Sequence, residues 1–172
     1  MRNNRLFLIF FSAITLAVSG CAIRSHTASG NDRATPAGRV NGTPIPPELG
    51  HEVVMQAMGV LGVRYAPGGD SPKTGFDCSG LVTYAYARVV RETLPRTTGA
   101  LSRTGMHVDA RDLQPGDLVF YNTQLQPFSH VGIYLGDARF IHAPSSGGEV
   151  RIEDMRQRYW LRRFSGARRV TL

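Results

Sequence analysis

Apolar residues recur at two different spacings along this chain, and the change comes past its middle. After Pro46-Pro47, the positions Leu49, Val53, Met55 or Ala57, Val60 and Leu61 follow helical spacing, so a helix is expected there, weakened at Gly62. A second stripe, Leu81, Val82, Ala85, Val89 and Val90, predicts a helix from about Cys78 to about Glu92, stopped by Leu94-Pro95. A short helical piece is expected over residues 98–105. From there on, short apolar runs between turn residues predict strands at 117–121, 131–135, 139–142 and 150–152, with a last one within 163–171. Helices first and antiparallel strands afterwards make an α+β domain, N-terminal helices packed on an antiparallel sheet of about five strands.

The first 47 residues follow neither spacing. Two arginines within Met1–Arg5 precede an apolar run from Leu6 to Val18, too short for a membrane span of about 18 residues but suited to a secretory signal. Val18-Ser19-Gly20-Cys21 resembles the lipobox of bacterial lipoproteins, in which the chain is cut before the cysteine and that cysteine is acylated. The resemblance implies a signal peptide over 1–20, a lipid-anchored Cys21 and, with Ala22 rather than Asp after it, an outer-membrane address facing the periplasm. Residues 22–47 are Ala, Gly, Ser, Thr, Asn and Pro with few large aliphatics, so 21–47 reads as lipidated cysteine plus flexible linker and 48–172 as the one folded domain.

Composition narrows the chemistry. The 172 residues fit one domain, and two cysteines exclude a disulfide-dense scaffold or a four-cysteine metal site. The net charge of +7 comes almost wholly from arginine, with Lys73 the single lysine. Seven arginines lie between Arg151 and Arg169, interleaved with Glu153, Asp154, Trp160 and Phe164; this reads as a solvated strand face rather than a nucleic-acid surface. No apolar surface stripe calls for a second copy, so a monomer is expected.

With Cys21 acylated, Cys78 has no disulfide partner in the chain. It stands in Asp77-Cys78-Ser79-Gly80, where loop becomes helix, and a helix start offers unpaired N–H groups and a positive dipole end that favour the thiolate. A thiolate nucleophile needs a base, and the base needs orientation. Of five histidines, His26 is in the linker, His51 on the first helix and His107 in a connection, while His130 and His142 flank one hairpin. If Leu135-Gly136-Asp137 form a three-residue loop, His130 faces His142; a two-residue loop at Gly136-Asp137 sets His142 opposite Val131 and the imidazoles on opposite faces. Cooperation of the two needs the first register or one an even step from it. Their face would also carry Phe140 and Gly132, the latter small enough to leave room for a helix end. Asp77 caps the helix or contacts substrate; both readings stand.

These residues, with Tyr65, Gly68-Gly69, Leu94-Pro95-Arg96-Thr97, Gly116-Asp117-Leu118-Val119-Phe120, Ser129-His130-Val131-Gly132 and Phe140-Ile141-His142-Ala143, resemble the NlpC-type cell-wall peptidases, papain-like cysteine hydrolases of peptidoglycan. The resemblance implies Cys78 as nucleophile, His130 as base and acid, and His142 as the residue that orients it. It also implies Tyr65, Asp77 and Ser79 at the substrate, Arg96 at the substrate or on a structural carboxylate, stem peptides of peptidoglycan as partner, and no metal or other cofactor. The bond would be D-alanyl or D-glutamyl to diaminopimelate. Pro67 departs from the aromatic residue usual before the two glycines, which changes one cleft wall. Alternatives are a thiol-dependent amidase or acyltransferase of the same fold, a lipoprotein that only binds wall peptides, and a zinc site of Cys78, His130 and His142.

Overall fold

The computed structural model describes residues 42–90, 92–145 and 148–172. The expected signal peptide, Cys21 and most of the expected linker lie outside the described residues. The linker's final residues are packed on the domain: Ile45 is buried, and Thr43 and Ile45 donate backbone hydrogen bonds to the carbonyls of Leu172 and Val170, both at 3.0 Å. Residues 43–45, upstream of residue 48, thus pack on the domain.

Helix α1 spans Pro47–Met58, opened by a proline whose fixed φ suits the first helical position. Helix α2 spans Cys78–Ala87 and is capped by Asp77, whose carboxylate accepts the Gly80 N–H. It ends well short of residue 92, because the N–H groups of Val89 and Val90 both return to the Tyr86 carbonyl and close a turn. Val90 is still buried, so the apolar stripe there reported burial rather than helix. Helix α3, Thr98–Leu101, is capped by Thr97. It is shorter than the expected 98–105, since Gly105 takes a left-handed φ of 69°.

Two short strands, β1 (Asp70–Ser71) and β2 (Gly75–Phe76), form a small hairpin before α2. The main sheet holds β3 (Met106–Val108), β4 (Leu118–Tyr121), β5 (His130–Gly136), β6 (Arg139–His142), β7 (Arg151–Asp154) and β8 (Phe164–Arg169). All neighbours are antiparallel, in the order β3-β8-β4-β5-β6-β7. That is six strands against the five or so expected; the unforeseen one is β3, three residues at the edge, paired with β8.

Both faces of the sheet are covered, which is why β4 is a continuous apolar run with every residue buried. Leu118, Phe120, Val131, Ile133 and Ile141 pack with α1 and α2. Val119, Tyr121 and Phe140 pack on the other face with Trp160, from the single-turn helix α4 (Arg158–Leu161). Two of the seven C-terminal arginines turn inward rather than lying on a solvated face. Arg169 holds the buried Asp117 with two hydrogen bonds of 2.8 and 2.7 Å, and Arg168 reaches the Ser102 carbonyl at 2.6 Å. No described helix is long and apolar enough to cross a membrane.

Candidate active site

Cys78 is the first residue of α2, and the loop before it is drawn tight by hydrogen bonds. The Asp77 N–H donates to the Gly69 carbonyl at 3.0 Å, and the Gly68 N–H donates to the Asp77 carboxylate at 3.0 Å. A Cβ on Gly80 would collide with the Gly69 oxygen and the Arg96 guanidinium, so only glycine lets the first turn of α2 approach this loop. The Cys78 sulfur lies within hydrogen-bonding reach of the Val131 N–H, one residue past His130 at the start of β5.

The helix start does not leave Cys78 as a ready thiolate. Burial pushes the thiol up and the neighbouring Asp77 charge pushes the same way. The N–H groups of Val131, Ser79 and Cys78 pull against them, but the thiol ends above its ordinary range. Against the thiolate expected at a helix start, burial and the Asp77 charge leave the thiol raised.

Asp77, Ser79 and Arg96 are brought together, with one another as partners. Arg96 Nη1 donates to Asp77 Oδ1 and to Ser79 Oγ, each at 2.6 Å. Its Nη2 donates to the Gly69 carbonyl at 2.8 Å and to Asp77 Oδ2 at 3.0 Å, and the Ser79 hydroxyl donates to Asp77 Oδ1. Burial raises the Asp77 carboxyl, yet the hydrogen bonds from Arg96, Gly80 and Ser79 outweigh it and hold the group below its ordinary value. The cap expected of Asp77 is present. Tyr65 stands beside the thiol, its N–H on the Gly148 carbonyl at 2.7 Å. Burial raises its phenol, and the charges of Cys78 and Asp77 add to this.

The two hairpin histidines meet: His130 Nε2 lies 2.7 Å from His142 Nδ1, with both side chains buried. Neither anticipated loop makes this contact. The turn residues are Asp137 and Ala138, both at positive φ, with Gly136 paired to Arg139. That register alone would set the imidazoles on opposite faces. Leu135 is then an extra residue between the pairs Tyr134–Phe140 and Gly136–Arg139, and the bulge shifts the ladder by one. The result is an even step from the His130–His142 pairing, so both rings share a face. Gly132 makes room on that face for Phe140 and His142, not for a helix end.

Trp160 packs on both imidazoles. Its ring stacks on His130 at 6.1 Å between centroids and meets His142 edge-on at 5.0 Å. Burial holds both histidines below their ordinary value, and the charges of His130 and Arg151 lower His142 further. Both are therefore neutral at pH 7. A neutral His130 that keeps Nδ1 free to accept a proton carries its hydrogen on Nε2 and donates it to His142 Nδ1; His142 then carries its own on Nε2. Trp160 carried no helical or strand pattern of its own, being placed by a single turn. His51 and His107 lie elsewhere, on exposed α1 and on β3. Among the described residues, no three His, Cys, Asp or Glu side chains are grouped to hold a metal ion.

Comparison with known proteins identifies the family of the fold. The chain belongs to the NlpC/P60 family, whose model matches residues 62–169. Over 113 residues it is 44% identical to murein DD-endopeptidase MepH of Escherichia coli, an alignment covering 64% of this chain and 42% of that protein. It is 41% identical over 109 residues to Escherichia coli MepS, named murein DD-endopeptidase and murein LD-carboxypeptidase, covering 63% and 56%. The chain thus spans less than half of MepH and little more than half of MepS. Among solved structures, an NlpC/P60 family protein from Bacillus cereus superposes with a TM-score of 0.66 at 31% identity, over 75% of this chain and 41% of that one. The peptidoglycan hydrolase RipB of Mycobacterium tuberculosis gives 0.62 at 31% identity, over 74% and 69%.

Proposed function

We propose that this chain is a peptidoglycan endopeptidase that cuts the D-alanyl–diaminopimelate crosslink through Cys78, His130 and His142. The observation that carries the reading is the 2.7 Å contact between His130 Nε2 and His142 Nδ1 at the start of β5, where the N–H of the next residue, Val131, acts on the helix-start thiol of Cys78. Similarity to MepH and MepS, both named murein DD-endopeptidases, supports the crosslink as the bond cut.

The raised thiol and the lowered imidazole describe a resting pair of neutral groups. His130 Nδ1 takes the Cys78 proton as sulfur bonds to the peptide carbonyl carbon, and the carbonyl π pair moves to oxygen. N–H groups at the start of α2, that of Cys78 among them, stabilise the oxyanion. The imidazolium formed donates from Nε2 to His142 Nδ1, a neutral acceptor that fixes its tautomer and orientation. Collapse breaks the C–N bond as His130 protonates the leaving amine. Water, losing a proton to His130, then attacks the thioester and returns the thiol. Tyr65 lies beside the nucleophile to contact substrate, while Asp77, Ser79 and Arg96 act by positioning the helix start. Exposed Pro67, two residues after Tyr65, shapes the cleft wall at that point.

An acylated Cys21 would hold the enzyme on the outer membrane, facing the wall from the periplasmic side, and a single copy suffices for the chemistry. The test is digestion of purified peptidoglycan by the full chain beside Cys78→Ala, with muropeptides read by mass spectrometry. Loss of crosslinked dimers in the active sample alone is expected. Truncated stems with dimers intact would move the cut to the D-glutamyl bond, and no change in either sample would overturn the reading.

A further inference from the structure

The imidazole pair borders open space. A cavity of about 500 Å³ lies against His130, His142 and Trp160, and neither Cys78, Tyr65 nor Asp77 lines it. Under the function proposed above, on which this inference rests, His130 must protonate the departing amine. The leaving half extends from the amine that His130 protonates, and this cavity is open space that borders His130.

Arg151 stands in the wall of this cavity, paired across β6–β7 with His142. Residues directly opposite in a ladder share a face, with Cβ atoms about 5 Å apart. Arg151 uses only Nε internally, donating to Glu153 Oε1 at 2.8 Å, while Gln157 holds the other oxygen of Glu153 at 3.1 Å. Glu153 thus fixes the guanidinium by its Nε edge, and the two Nη groups have no hydrogen-bond acceptor among the described residues. A guanidinium presented in this way matches a carboxylate. His142 Nε2 and Thr123 Oγ1, on two other residues lining the cavity, are buried without a partner among the described residues. On the tautomer assigned above, the first is an N–H donor, so an acceptor is called for on this side.

We propose that this cavity is the leaving-group subsite, and that Arg151 there binds a free carboxylate on the carbon bearing the scissile amine. At the D-alanyl–diaminopimelate crosslink, that carbon carries a free carboxylate. At the D-glutamyl–diaminopimelate bond of a continuing stem, the same position is an amide carbonyl, with no charge to offer. Arg151 would thus select between the two bonds.

The test uses two crosslinked dimers that differ only in whether the carboxyl beside the scissile amine is free or a carboxamide. kcat/KM is measured with the full chain as wild type, Arg151→Gln and Arg151→Lys. The expected ratio of acid to amide is about ten or more for wild type, within about twofold of one for Arg151→Gln, and between them for Arg151→Lys. An equal rate on both dimers by wild type, or an unchanged ratio in Arg151→Gln, overturns the assignment. Calorimetry with Cys78→Ala and the leaving half of the dimer, as acid and as amide, reads the subsite without turnover. Binding selective for the acid and lost in Cys78→Ala/Arg151→Gln supports it; equal binding of acid and amide overturns it. If wild type cuts neither dimer, the proposed reaction fails, and the calorimetry still decides what Arg151 binds.

Discussion

His130 and His142 are diagonal neighbours on the β5–β6 ladder, and they touch because Gly132, level with His142, has no side chain. The ladder pairs Ile133 with Ile141, so its continuation sets His142 opposite Gly132. A Cβ at Gly132 would lie 2.6 Å from the Phe140 ring, 2.8 Å from the Ile141 carbonyl oxygen and 3.3 Å from the His142 Cβ.

Gly132→Ala therefore crowds both the ladder and the imidazole contact. Overpacking of a tight core costs about 1–3 kcal/mol, and the same displacement separates the histidines. Urea unfolding of the full chain should show that loss of stability, together with an activity loss that outlasts any correction for folded fraction. Wild-type stability and activity would mean that the strands part freely there.

The raised thiol and lowered imidazoles give a pH signature. Thiolate is the form that reacts with iodoacetamide, and burial disfavours it, so alkylation of Cys78 should rise continuously with pH. The inflection should lie above the ordinary thiol value of about 8.5, because a neutral His130 supplies no positive charge to hold a thiolate at lower pH. A rate plateau already reached below pH 6 would instead show a resting thiolate–imidazolium pair.

Asp77 joins helix capping to the Arg96 clamp. Asp77→Ala removes the acceptor for Gly80 N–H and the partner of Arg96, and a lost cap alone costs about 0.5–2 kcal/mol. Asp77→Asn keeps a capping oxygen and loses the ion pair. The alanine variant should melt lower than the asparagine one, with both less active than wild type. Equal melting of all three would show that the cap contributes nothing.

Much of this was legible in the sequence because it depends on local rules. Asp77 before a helical stripe announced a cap, and short apolar runs between turn residues announced β4 to β6. The hairpin parity condition, an even step from the His130–His142 pairing, was also readable. How the chain meets it was not, since Leu135 as a bulge and Asp137-Ala138 as the turn depend on which residue the sheet leaves unpaired. Val89 and Val90 look helical because burial and helicity share a spacing. The state of Cys78 turned on depth, which one sequence does not display, and Trp160 and Arg151 joined the site through tertiary contacts across β6, β7 and α4.

The most direct measurement is kcat/KM of full-length Cys78→Ala on a crosslinked muropeptide, with melting temperature matched to wild type. If the thiol forms the covalent bond, the variant should fall by about 10³-fold or more, as loss of a nucleophile does in other triads. Activity within about tenfold of wild type would contradict a Cys78 nucleophile and leave the 2.7 Å histidine pair as a structural contact only.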